Sequence, residues 1–141
     1  MGLDTGELRE GLVETRKYLL SHHVPSEYHR CYSPVVAGRQ LHVCARCLGI
    51  YPGIVFGILV TLLARPPLLL VAVMPLPALL DWSLTTFTDR VGSNPVRTIT
   101  GLLLGSGYGL GLGLLFDGEF TVLAIGFGYA IVAAALLARS L

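Results

Sequence analysis

Four long apolar runs fill the second two-thirds of the chain, and the residues between them set the expected architecture. Residues 48–64 carry no charge and are long enough to cross a hydrocarbon core of roughly 30 Å at about 1.5 Å per residue. Arg65, Pro66 and Pro67 close this run. The second run, 67–87, is interrupted by Pro75, Pro77 and Asp81, and two prolines so close together predict a kinked or partly broken helix. The third and fourth, 99–116 and 121–138, are joined by Asp117-Gly118-Glu119, a turn short enough to force antiparallel neighbours. Upstream the pattern changes. Residues 1–24 predict an amphipathic helix with Leu8, Leu12 and Leu19 near one face, an Asp4-x-x-Glu7 capping box at its start and Pro25 at its end. Its apolar positions are too few for a signal peptide or a span. We expect it to lie against the cytosolic side of the protein, the alternative being an interfacial helix along the headgroups.

Small residues then suggest how the spans meet. Gly49, Gly53 and Gly57, continued by Thr61, recur every four residues in the first span, and Gly101, Gly105, Gly109 and Gly113 do so in the third. Gly126, Ala130, Ala134 and Ala138 keep the same spacing in the fourth. Positions four apart share a helix face, and small ones let backbones approach where lipid gives no hydrophobic drive for association. The expected fold is an all-α membrane protein of four transmembrane helices with glycine-stripe contacts, within one chain or between copies in a homo-oligomer. The first and third spans should run parallel. Each carries an arginine before its glycine row, Arg46 and Arg97, which hints at a duplicated two-helix unit.

Composition and charge agree with a membrane location. The chain is 53% hydrophobic and 13% charged, with mean hydropathy +0.69. A net charge of +1 gives no field that would draw nucleic acid. Arg9, Arg16, Lys17, Arg30, Arg39, Arg46, Arg90, Arg97 and Arg139 fall on one side of the four expected spans and only Arg65 on the other, so both termini are expected in the cytoplasm.

The segment before the first span carries the candidate chemistry. His29 and Cys31 form an H-x-C pair, and Cys44 and Cys47 form a C-x-x-C pair followed by Gly49. Two close pairs of soft ligands from two segments are what a tetrahedral zinc site needs, so residues 25–47 predict a zinc knuckle. An iron–sulfur cluster at the same four ligands is the variant, and His42 is a spare ligand. An odd cysteine count and a cytosolic position argue against disulfides.

A second polar group lies at the same expected membrane face. Asp81 sits in the last third of the second span, where a carboxylate is a candidate functional group, here an acid or base. Pairing of Asp81 with Arg90 or Arg97 is the structural alternative. Arg90, Ser93, Asn94 and Arg97 follow, and with the start of the third helix they suit an anionic ligand such as phosphate or a lipid headgroup.

These residues resemble a known family. His29-x-Cys31, Cys44-Ala-Arg-Cys47-x-Gly49-x-Tyr51-x-Gly53, Asp81 and Arg90-x-x-Ser93-Asn94-x-x-Arg97-x-x-x-Gly101 are similar to small prokaryotic multi-pass membrane proteins of unknown function, over about residues 28–105. The resemblance marks these positions as the ones to watch and implies no activity. Family members often carry a D-G-x-T-Q-like run where this chain has Asp81-Trp82-Ser83-Leu84-Thr85-Thr86 without the glutamine. Three classes stay open: a membrane enzyme acting on a lipid or isoprenoid headgroup, a small dimeric transporter or channel, and an accessory subunit of a membrane complex.

Overall fold

The computed structural model describes residues 5–141, with the side chains of residues 16–18 left out of the description, so the Asp4 capping box lies outside the described residues. The first helix, α1, is Thr5–Leu20. Its side chains from Thr5 to Thr15 are exposed, Leu8, Leu12 and Val13 among them. The helix therefore does not lie against the bundle as expected: a few leucines between charged residues bury too little to hold it there. Its tether is at the far end, where the Tyr51 hydroxyl donates to the Leu19 carbonyl at 3.2 Å.

A 3-10 turn, Pro25–Arg30, leads into four two-residue strands: β1 (Cys31–Tyr32), β2 (Val35–Val36), β3 (Arg39–Gln40) and β4 (Val43–Cys44). They nest as one hairpin, β2 against β3 at the tip and β1 against β4 at the base, both antiparallel. Ala37 and Gly38, with φ of 51° and 74°, make the two-residue turn whose twist suits paired strands. The consequence is chemical, because the register sets Cys31 directly opposite Cys44.

Helices α2 (Ala45–Leu63), α3 (Leu68–Val73), α4 (Leu76–Phe87), α5 (Asn94–Phe116) and α6 (Thr121–Ser140) follow. With α3 and α4 taken as one broken helix, four helices among the described residues are long and apolar enough to cross a membrane. The break falls at Met74–Pro75, where the missing proline donor interrupts the helix ladder. The Tyr129 hydroxyl of α6 donates to the Ala72 carbonyl beside the break, and so meets a backbone group that lipid could not satisfy. Two boundaries differ from expectation. Helix α2 starts at Ala45, not 48, which places Cys47 in its first turn, and α5 starts at Asn94, not 99, which places Arg97 inside the helix. Apolarity marks only the lipid-facing length; both helices extend past it into polar sequence.

Helices α2 and α5 run parallel in backbone contact. A Cβ added at Gly49 would meet the Thr98 carbonyl, at Gly53 the Leu102 carbonyl and at Gly57 the Ser106 carbonyl. In return, Gly101, Gly105 and Gly109 face the carbonyls of Arg46, Ile50 and Ile54. The apolar core lies at the end of the bundle away from the hairpin, where Val71, Leu110, Leu114 and Val122 meet. Val122 is the one buried residue of α6, and Gly126 and Gly128 have open space where a Cβ would stand.

Candidate metal centre

At the hairpin end, the segment between α1 and the 3-10 turn folds back over the two cysteines that begin α2. Cys44 is the N-cap residue of α2 and Cys47 lies one turn in, so the C-x-x-C pair straddles the helix start. His23 Nε2 lies 3.4 Å from Cys44 Sγ, and His22 Nδ1 lies 4.0 Å from Cys47 Sγ. Two ligands of a tetrahedral zinc, at about 2.3 Å for sulfur and about 2.0 Å for nitrogen, stand roughly 3.5 Å apart. The ligand atoms of His22, His23 and Cys44 all lie within 4.8 Å of one another, a group that could hold a metal ion.

Glu27 completes the arrangement. Its carboxylate meets His23 Nδ1 at 3.1 Å, which orients the ring so that Nε2 is the nitrogen turned to Cys44. Carboxylates behind metal-ligating histidines do the same. The hydrogen bond to His23 is also the main reason that the Glu27 carboxyl is held below the usual range, with Arg30 adding to it. The Cys44 thiol is lowered first by its hydrogen bond with the Cys47 thiol, which outweighs the opposing effect of burial, and then by the Cys47 amide and the His23 ring.

Of the four expected ligands, Cys31 and Cys44 are buried and opposed across the hairpin, and Cys47 is adjacent. Cys31 Sγ is 3.3 Å from Ser21 Oγ. His29 is exposed in the 3-10 turn and outside the group. Its spacing to Cys31 matches a ligand pair, but the 3-10 turn precedes an extended strand and does not bring both side chains to one point. His22 and His23 stand in its place. Their signal was a histidine doublet two residues before Pro25, hidden because the amphipathic pattern extended the first helix over them. His42 is taken up elsewhere, stacked on Tyr28 with ring centroids 3.7 Å apart and bonded through Nδ1 to Ser33.

Two of the residues expected to form an anion pocket, Asn94 and Arg97, bracket the hairpin to the helices. Asn94 donates to the Cys31 carbonyl at 3.3 Å and accepts from Arg97. Arg97, 5% exposed, also donates to the Val91 carbonyl. Thr98 donates to Ala45 and Asn94 carbonyls and meets the Tyr32 hydroxyl. Arg90 and Ser93 are exposed. Asp81 pairs with Arg46 at 2.5 Å, not with Arg90 or Arg97, because the parallel α2–α5 contact brings the start of α2 beside the end of α4. Of the five candidates, Asn94 and Arg97 thus share the bracket, Asp81 pairs with Arg46, and Arg90 and Ser93 stand exposed.

Residues 28–111, more than half of the chain, match a family described as predicted membrane protein, DUF2085. The chain belongs to this family. The matched stretch takes in the hairpin, the C-x-x-C pair, the bracket and most of α5, whereas His22, His23 and Glu27 precede it. No curated protein and no solved structure matches the DUF2085 chain.

Proposed function

We propose that the protein is a multi-pass membrane protein whose cytoplasmic end is stapled by a zinc centre of His22, His23, Cys44 and Cys47, with Cys31 beside it. The observation that carries this reading is the 3.4 Å approach of His23 Nε2 to Cys44 Sγ, with Glu27 fixing the other ring nitrogen. Two imidazoles and two thiolates suit zinc better than an iron–sulfur cluster, which is held mostly by cysteine. With four protein ligands no position is left for water, so the metal holds structure and does not activate a nucleophile. It ties the segment after α1 to the start of α2, and the bracket of Asn94 and Thr98 passes that constraint to α5. The glycine zipper between α2 and α5 then has a fixed register at its cytoplasmic end.

The centre also gathers arginines, which supports binding of an anionic group as the second part of the function. The Nε atoms of Arg30 and Arg46 are buried without a hydrogen-bond partner among the described residues. Arg97 lies in the field of both, with Asp81 opposing them. In this reading Asp81 positions Arg46 and is not an acid or base, and Arg30 and Arg46 join Arg97 as the anion seat in place of Arg90, Ser93 and Asn94.

Metal content of detergent-purified protein tests the zinc reading. About one zinc per chain is expected, lost in Cys44→Ser and in a His22→Ala/His23→Ala double variant, and kept in His29→Ala. Loss in His29→Ala with retention in the double variant would return the site to the H-x-C pair. Glu27→Gln should keep the zinc and weaken its affinity by about 10–100-fold, read by competition with a chelator.

A further inference from the structure

Helix α6 meets the bundle through Val122 and Ile125 and through the Tyr129 hydroxyl on Ala72, and beside these contacts a cleft of about 840 Å³ lies between α6 and the α4–α5 face. Val122, Trp82, Tyr108, Gly126 and Ala130 are among the residues that line it. The lining is apolar apart from one charged residue, Arg46. From Val122 to Leu137, both on the lining, α6 rises about 22 Å at 1.5 Å per residue. One leaflet of hydrocarbon is about half of a 30 Å core. The cleft is therefore long enough for an extended acyl chain lying parallel to the helices.

The guanidinium at the hairpin end decides what kind of molecule fits. Arg46 gives one nitrogen to Asp81, and its Nε–H is buried with no acceptor among the described residues. Arg30 has the same deficiency, and its contact to Glu27 is long, at 3.9 Å. The Arg46 side chain is 23% exposed and lines the cleft, so a phosphate oxygen at that end can take a charge-assisted bond from its accessible guanidinium nitrogens. A hydrocarbon chain alone would leave these donors unmet, and a free anion would leave the cleft unfilled. The described residues thus present an apolar slot and an unmet cationic end on one wall.

We propose that this cleft holds one anionic membrane lipid, with an acyl chain between α6 and the α4–α5 face and its phosphate against the accessible part of the Arg46 guanidinium, which lines the cleft. The proposal rests on the arginine seat described above and names its ligand. Lipid occupancy also explains why α6 has so few contacts of its own: the chain supplies the missing layer of packed atoms.

The test uses the full-length protein in mild detergent, with thermal unfolding and native mass spectrometry after addition of phosphatidylglycerol, phosphatidylcholine or inorganic phosphate. Phosphatidylglycerol should raise the melting temperature by several degrees and stay bound at one per chain, with phosphatidylcholine at least tenfold weaker and phosphate without effect. Two variants separate the parts. Gly126→Leu with Ala130→Leu fills the slot from a position where an added Cβ meets nothing, and should cut retention of both lipids tenfold or more. Arg46→Lys keeps the charge opposite Asp81 and lacks the guanidinium nitrogens, and should bring the preference for phosphatidylglycerol close to one. Equal stabilisation by phosphate and by lipid would overturn the cleft while leaving the arginine seat standing. Equal retention of the two lipids by the wild-type protein would overturn the seat. A dimer that disappears in the slot-filling variant would assign the cleft to a second copy and overturn the proposal.

Discussion

Helices α2 and α6 carry small residues at the same four-residue spacing, yet the two rows end in opposite surroundings. Gly49, Gly53 and Gly57 of α2 press on the backbone of α5, whereas Gly126 of α6 faces open space. The difference lies in the partner. Helix α5 offers its own glycines, Gly101, Gly105 and Gly109, at matching heights, so both backbones can approach and exchange close contacts. Gly107 and Gly111 of α5 line the same cleft as Gly126 but aim at Met74, Pro75 and Val71, and contact with α6 is made by Val122 in the core and by the Tyr129 hydroxyl on Ala72. A stripe of small residues permits close approach. A complementary stripe is needed to use it.

Substitutions can break this comparison, and the largest effect is expected at Gly105. A Cβ there would meet the Ile50 carbonyl and Cα, and two helix backbones cannot yield as a side chain can. Gly105→Leu should destabilise the protein by about 3 kcal/mol or more, the upper end for overpacking, read as lost thermal unfolding in detergent. Gly126→Leu should stay within about 0.5 kcal/mol of the wild type. Similar losses at the two positions would mean that the α6 row is engaged as closely as the α2 row.

Removal of the metal comes next. Chelation, or Cys44→Ser, should lower the melting temperature by several degrees and increase amide exchange in the hairpin and the first turn of α2, while the core around Leu110 and Leu114 stays protected. Uniform loss of protection along α2 would show that the staple is needed for the whole pair. A smaller effect is expected at the bracket. Asn94→Ala removes the bond to the Cys31 carbonyl and one from Arg97, and should cost about 1–3 kcal/mol without loss of metal. Retained stability would mean that the hairpin is held by its cysteines alone.

The smallest effect belongs to the turn into α6. The Glu119 carboxyl is held below its usual range by the Thr121 hydroxyl first and the Thr121 amide second. A carboxylate with a lowered folded pKa adds stability that is present at neutral pH and lost as pH falls below the unfolded value of about 4.3 and through the folded one. Glu119 is exposed, so the drop should be slight, and Glu119→Gln should flatten it in unfolding curves taken between pH 3 and 6. An unchanged pH profile in that variant would assign the acid sensitivity to other carboxylates.

Much of the fold was legible because lipid imposes simple demands. A stretch of apolar residues long enough to cross hydrocarbon must be helical, and the four such stretches were plain from composition alone, as was the break at Pro75. The parallel course of the first and third spans followed from counting crossings. The hairpin was not read: strands of two residues carry too little periodicity, and Ala37 at a positive φ gives none of the usual turn chemistry before Gly38. Helix α1 was expected against the bundle because amphipathicity tells which face is apolar and not whether anything covers it.

The candidate site divides along the same line. Residue chemistry by itself pointed to soft ligands at Cys44 and Cys47, because thiols three residues apart across a helix start meet at one point through local geometry. Choosing histidines from a separate segment depends on how the chain returns over the hairpin, and spacing along the sequence holds no record of that path. Tertiary structure brings His22 and His23 to the cysteines, turns Asp81 to Arg46 and uses Asn94 as a strut. Local sequence determines which atoms could bind a metal or an anion. Only the folded chain, by setting distances between segments tens of residues apart, decides which of them stand together.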